Sequence, residues 1–167
     1  MCLTFSYQMN ILNKNTLYLT RTKLRVMRNC FNLKILKIQD MEKMTNAINW
    51  FEIPVLNFDL AKEFYQRIYN YEMTETTMNG LRMGFLPMDR ESQGVGGAIV
   101  QGNGFIPSAL GVKIYLNAGK NLDNVLNRVI AAGGEIIAHK TKINDELGYY
   151  ATFEDTEGNH ISLHSPE

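Results

Sequence analysis

Residues 50–59, Trp50-Phe51-Glu52-Ile53-Pro54-Val55-Leu56-Asn57-Phe58-Asp59, change hydrophobic period within a single short run. Phe51, Ile53 and Val55 alternate with Trp50, Glu52 and Pro54, the period of a strand with one apolar face. Asn57 then suits an N-cap and Asp59 a first helical turn, while Phe58, Ala61, Tyr65 and Ile68 recur at helical spacing, with Phe64 widening the stripe. The run therefore predicts a strand followed at once by a helix that ends near Asn70. Two further strands are expected around Gly80–Met88 and Val95–Gln101, separated by the polar turn 89–94. A loop with Gly102, Gly104 and Pro107 closes this half.

The same grammar returns downstream. Val112, Ile114 and Leu116 alternate with Lys113, Tyr115 and Asn117, and a helix carrying Leu122, Val125, Leu126 and Val129 stops at Gly133-Gly134. A shift of about 63 residues lays Phe51, Ile53 and Val55 on Ile114, Leu116 and Ala118, and Phe58-Asp59 falls on Leu122-Asp123. The chain thus holds a duplicated strand, helix, strands unit. Later strands are expected at Glu135–Ala138, Gly148–Glu154 and His160–His164, with a turn over 155–159 between the last two and His139 and Lys140 exposed where a strand ends.

Composition bounds the function. The chain has 167 residues, 45% of them hydrophobic, and no apolar run reaches the roughly 18 residues a spanning helix needs. No membrane partner is expected. Its formal charge is zero, but residues 1–43 carry eight Lys and Arg against two Asp and Glu, net +6, and residues 44–167 carry nine against fifteen, net −6. Both cysteines, Cys2 and Cys30, lie in the basic part, so neither a disulfide framework nor a cysteine metal site is indicated, and a reducing, cytoplasmic setting is the simplest expectation. Residues 1–43 are expected to form a basic N-terminal extension, disordered or lying upstream of a start at Met41 or Met44. An organellar presequence fits less well, because Ser is scarce and no clean amphipathic helix is present. Residues 44–167 are expected to hold the fold, in modules of about 47–106 and 110–165. Their acidity gives no reason to expect a nucleic-acid partner.

The run Trp50–Val55, the aromatic pair Phe64-Tyr65, the strand and helix over 112–134, and the ending Asp155-Thr156-Glu157-Gly158-Asn159-His160-Ile161-Ser162-Leu163-His164-Ser165 resemble the vicinal oxygen chelate superfamily. That group includes glyoxalase I, bleomycin- and fosfomycin-resistance proteins and extradiol dioxygenases. The resemblance covers 44–167 and implies an α+β fold of two βαβββ modules, forming cup-shaped sheets around a cavity. It also implies one divalent metal held by His and Glu from the first and last strands of each module. The matching positions are Trp50, Lys113 and Ser162, with no His, Asp or Glu anywhere in 94–101. None donates a lone pair suited to such an ion. No metal or other cofactor is therefore expected.

Strand alternation alone places Trp50 and Glu52 on one face, Lys113, Tyr115 and Asn117 on the equivalent face, and His160, Ser162 and His164 together on the last strand. Glu52 and His164 are the candidate catalytic pair, able to exchange a proton in an apolar cup. Against this stands a plain Glu52–Lys113 ion pair with His164 solvated. Trp50, Lys113, Tyr115, Ser162 and His160 are the candidate ligand-binding residues, Trp50 as a stacking ring or as core packing. One of Tyr149 and Tyr150 should face the cup. The expected function is binding of a small polar or aromatic molecule, with or without metal-independent acid–base chemistry. Two alternatives remain: a metal-dependent lyase or isomerase of the lactoylglutathione lyase type with a site displaced to Glu52, His160 and His164, and a drug-sequestering protein of the bleomycin-resistance type. Both modules lie in one chain, which makes a monomer feasible and leaves a homodimer open.

Overall fold

The computed structural model describes residues 46–89, 91 and 94–167; the reading of residues 1–43 lies outside the described residues. The first module runs β1 (Trp50–Pro54), α1 (Phe58–Tyr69), β2 (Glu75–Met78), β3 (Leu81–Phe85) and β4 (Gly96–Gln101). The second repeats it as β5 (Tyr115–Asn117), α2 (Asp123–Ala132), β6 (Glu135–Asn144), β7 (Gly148–Glu154) and β8 (His160–Ser165). Each module forms its own four-stranded sheet, ordered β1-β4-β3-β2 and β5-β8-β7-β6, with the first strand parallel to the last. The architecture is the α+β fold of two βαβββ modules that the resemblance implied.

Local chemistry explains the helix limits. The Asn57 side chain accepts a hydrogen bond from Leu60 N at 3.2 Å, and Asn70 closes α1 in the left-handed region at φ 53°. Gly133 closes α2 at φ 104°. Between α1 and β3 the sequence reading missed β2. Asn79 and Gly80, both at positive φ, make the two-residue turn joining it to β3, an Asn-Gly signal whose flanking Thr-rich strand carries no apolar alternation. The expected strand over 112–117 shrinks to Tyr115–Asn117, whereas β6 runs on to Asn144. Lys140 therefore sits within a strand, half-buried, its ammonium 2.9 Å from Asp123 Oδ2.

Both helices and the inner faces of both sheets share one core. Ile53, Val55 and Phe64 from the first module and Leu116, Phe153 and Leu163 from the second belong to it, and the Phe64 and Phe153 rings lie 5.7 Å apart. The turn over 155–159 reinforces this junction with polar contacts. Glu157 Oε2 accepts from the backbone N–H groups of Leu56 and Asn57 at 2.6 and 2.9 Å, just ahead of α1, where a carboxylate also meets the helix dipole favourably. Asn159 donates from Nδ2 to Pro54 O and accepts at Oδ1 from Ser108 N, both at 2.9 Å. Tyr65 Oη donates to the buried Asp155 Oδ2 at 2.9 Å. Thus the segment read as a turn is also the polar tie between modules. Among the described residues, no helix is long and apolar enough to cross a membrane.

Candidate functional site

Register fixes what alternation left open. Glu52 pairs with Ala98 in the first sheet and Tyr115 with Ser162 in the second, so Ala98 is the counterpart of Ser162. The four positions at which the resemblance implies metal ligands are thus Trp50, Ala98, Lys113 and Ser162. Carbon, an indole N–H and an ammonium offer no lone pair, and the Ser162 hydroxyl is buried against Thr152 Oγ1 at 2.9 Å. The displaced set fares no better. His160 and His164 stand four residues apart on β8, roughly 13 Å at strand rise, and no group of three or more metal-ligating side chains occurs among the described residues. These residues do not fit a divalent metal.

Glu52 and His164, the expected proton-transfer pair, each engage another group. Glu52 Oε1 accepts from Trp50 Nε1 at 3.2 Å, while His164 Nε2 lies 2.6 Å from Leu147 O. A carbonyl only accepts, so His164 Nε2 carries the proton. The Glu52–Lys113 ion pair is likewise not formed; neither residue joins any ion pair among the described residues. His160 Nε2 instead meets Glu154 Oε2 at 3.0 Å across β7 and β8. Of the tyrosines, Tyr150 pairs with His164 on the outer face, 6.4 Å from the Tyr115 ring, and Tyr149 packs on the core.

The candidate residues line several neighbouring hollows, with Tyr115 shared by two of them. Glu52 and His160 share a pocket of about 220 Å³ with Pro54 and Ile106. Tyr115 and His164 share a shallow basin of about 500 Å³ with Asn117 and Lys120. Trp50 lines a pocket of about 200 Å³ and makes an edge contact with Phe85, ring centroids 6.1 Å apart. Lys113 and Tyr115 line a cleft of about 460 Å³ between the β1–β4 edge and the segment 112–117.

This cleft is walled mainly by apolar and aromatic residues, and sequence reasoning named only part of it. Its floor comes from a strand pairing: Trp50 stands opposite Gly96 and Phe51 opposite Gly97. A Cβ on Gly97 would fall 2.3 Å from the Phe51 ring, and one on Gly96 would fall 3.0 Å from the Trp50 ring. Each ring thus occupies space that only glycine leaves free, Trp50 on the outer face and Phe51 on the inner one. Phe51, Gly96 and Gly97 line the cleft, together with Tyr69 from the end of α1, whose phenol burial pushes well above its usual pKa and keeps neutral. Leu86, Pro87, Gly96 and Gly97 also line the Trp50 pocket, so the two hollows adjoin. The tandem glycines were visible in the sequence, but their aromatic partners lie about 46 residues away on a parallel neighbour that no local pattern specifies.

No family model and no curated protein matches this chain. Solved structures do. An antibiotic-binding protein from a Streptomyces species is 19% identical, with a TM-score of 0.55 over 75% of this chain and 100% of that one. A glyoxalase/bleomycin resistance protein/dioxygenase family enzyme from Burkholderia phytofirmans is 15% identical, with a TM-score of 0.52 over 71% and 98%. A genomically encoded fosfomycin resistance protein from Listeria monocytogenes is 18% identical, with a TM-score of 0.51 over 73% and 92%. The fold of this chain is the one these glyoxalase/bleomycin resistance/dioxygenase-type structures share.

Proposed function

We propose that this chain is a metal-independent small-molecule-binding protein that holds a compact aromatic or apolar ligand in the cleft between β1–β4 and residues 112–117. The observation that carries the reading is the cleft itself: about 460 Å³, walled by Phe51, Tyr69 and Tyr115 and floored by Gly96-Gly97. That volume lies within the usual range for ligand sites, roughly 300–1,000 Å³. Binding without chemistry is favoured because Glu52 and His164 engage other partners and line different hollows. One structural neighbour is an antibiotic-binding protein, but the assignment here rests on this chain's own walls.

The full chain should bind the uncharged fluorophore N-phenyl-naphthylamine at one saturable site, with Trp50, the sole tryptophan, transferring excitation to it. Ile48 lines the cleft and is 48% exposed, so Ile48→Asp puts a charge on the wall without emptying the core. It should weaken binding about tenfold, since burying an unpaired carboxylate is costly. Unsaturable binding, or affinity unchanged by Ile48→Asp, would remove this reading.

A further inference from the structure

Among the described residues that line the cleft, Lys113 is the only charged one. We infer that the cleft selects an aromatic or apolar monoanion, a carboxylate or sulfonate on a ring body, through the Lys113 ammonium; this rests on the cleft being the binding site. Three observations converge on it. Lys113 is exposed at the cleft and joins no ion pair or hydrogen bond among the described residues, Glu52 being bonded to Trp50 instead. Asn117 Oδ1 already accepts from Gly119 N at 2.8 Å, while its two amide N–H donors have no partner among the described residues. The ring walls of Phe51, Tyr69 and Tyr115 contribute no carboxylate, and the buried Tyr69 phenol stays neutral. A ligand cation would meet an unpaired ammonium against apolar walls, whereas an anion gains a charge-assisted hydrogen bond. Although residues 44–167 carry net charge −6, the cleft's own chemistry is of the opposite sign. The surface charge acts at long range and is screened within about 10 Å in ordinary buffer, whereas Lys113 acts by contact.

Anilinonaphthalene sulfonate is the uncharged fluorophore with one sulfonate added, so the pair isolates the charge. The full chain should bind the sulfonate at one site at least about tenfold more tightly than N-phenyl-naphthylamine, as a charge-assisted hydrogen bond would provide. Lys113→Met keeps a long unbranched stem and removes the ammonium. It should bring the sulfonate down to the affinity of the neutral probe, so that the ratio between the two probes falls to about one. Equal affinity of the two probes for the wild-type chain, or an equal loss of both in Lys113→Met, would overturn the role of charge and leave the cleft reading standing. Failure of either probe to saturate would overturn the cleft reading and this inference with it.

Discussion

Asp155 shows how one side chain answers two opposed demands. Its Oδ1 accepts from the backbone N–H groups of Glu157 and Asn159, both at 2.9 Å, and its Oδ2 from Tyr65 Oη at 2.9 Å and Asn159 Nδ2 at 3.0 Å. Those bonds favour the carboxylate, but burial outweighs them and raises the carboxyl above its ordinary value. The folded state then keeps the proton at pH values where the unfolded chain, at about 3.9, has released it. The contribution to stability is fully present below the unfolded value and is lost as pH rises through the folded one. In Asp155→Asn this titration is gone. The difference in unfolding free energy between wild type and variant, measured in urea from about pH 3.5 to pH 7, should therefore shrink as pH rises. A difference that grows with pH would mean that the four hydrogen bonds prevail over burial.

The elements most consequential for the site are the paired strands β1 and β4. Their parallel register sets an aromatic dipeptide against a glycine dipeptide, which lets two rings lie flat on opposite faces. A methyl group at position 97 would collide with three atoms of the Phe51 ring at 2.3–2.5 Å, and the ring can only move into the cleft or the core. Gly97→Ala should destabilise the chain by roughly 1–3 kcal/mol, the usual range for overpacking. It should also weaken N-phenyl-naphthylamine binding, because the displaced ring takes ligand space. Chemical denaturation and probe titration on the same variant check both effects. Unaltered affinity would mean that the ring yields toward the core or that the ligand sits elsewhere. At this scale β1, α1, α2, β7 and β8 were legible in the sequence, since each carries its own apolar period. By contrast, β2 was not, because Glu75–Met78 is exposed throughout and its position is set by the Asn79-Gly80 turn. The end of β6 was missed because its last four residues, Thr141 to Asn144, are exposed and follow no apolar rhythm.

At the scale of the whole molecule, the shared core makes the two duplicated modules one cooperative body. Phe153 belongs to the second module and is fully buried against Phe64 of the first. Trp50 reports on the first module alone, being the only tryptophan. Phe153→Ala should cost about 3–5 kcal/mol, the common range for emptying a buried phenyl site. The loss should be the same whether followed by Trp50 fluorescence or by far-ultraviolet circular dichroism, in one coincident transition. A fluorescence transition that stays put while the dichroism midpoint falls would show the modules to be independent.

By itself the sequence determined the duplicated grammar of strand and helix, the caps at Asn57 and Gly133, and the lack of suitable metal donors at Trp50, Lys113 and Ser162. Those are matters of period, of local backbone preference and of side-chain chemistry, which neighbours along the chain express directly. Tertiary structure alone decided which candidates meet. It paired Glu52 with Trp50, tied His164 to Leu147, buried Ser162 on Thr152 and brought Phe51, Gly97, Tyr69 and Lys113 around one cleft. Alternation tells which face of a strand a side chain occupies. It cannot tell which distant strand lies beside it, and that distance decides whether two groups touch.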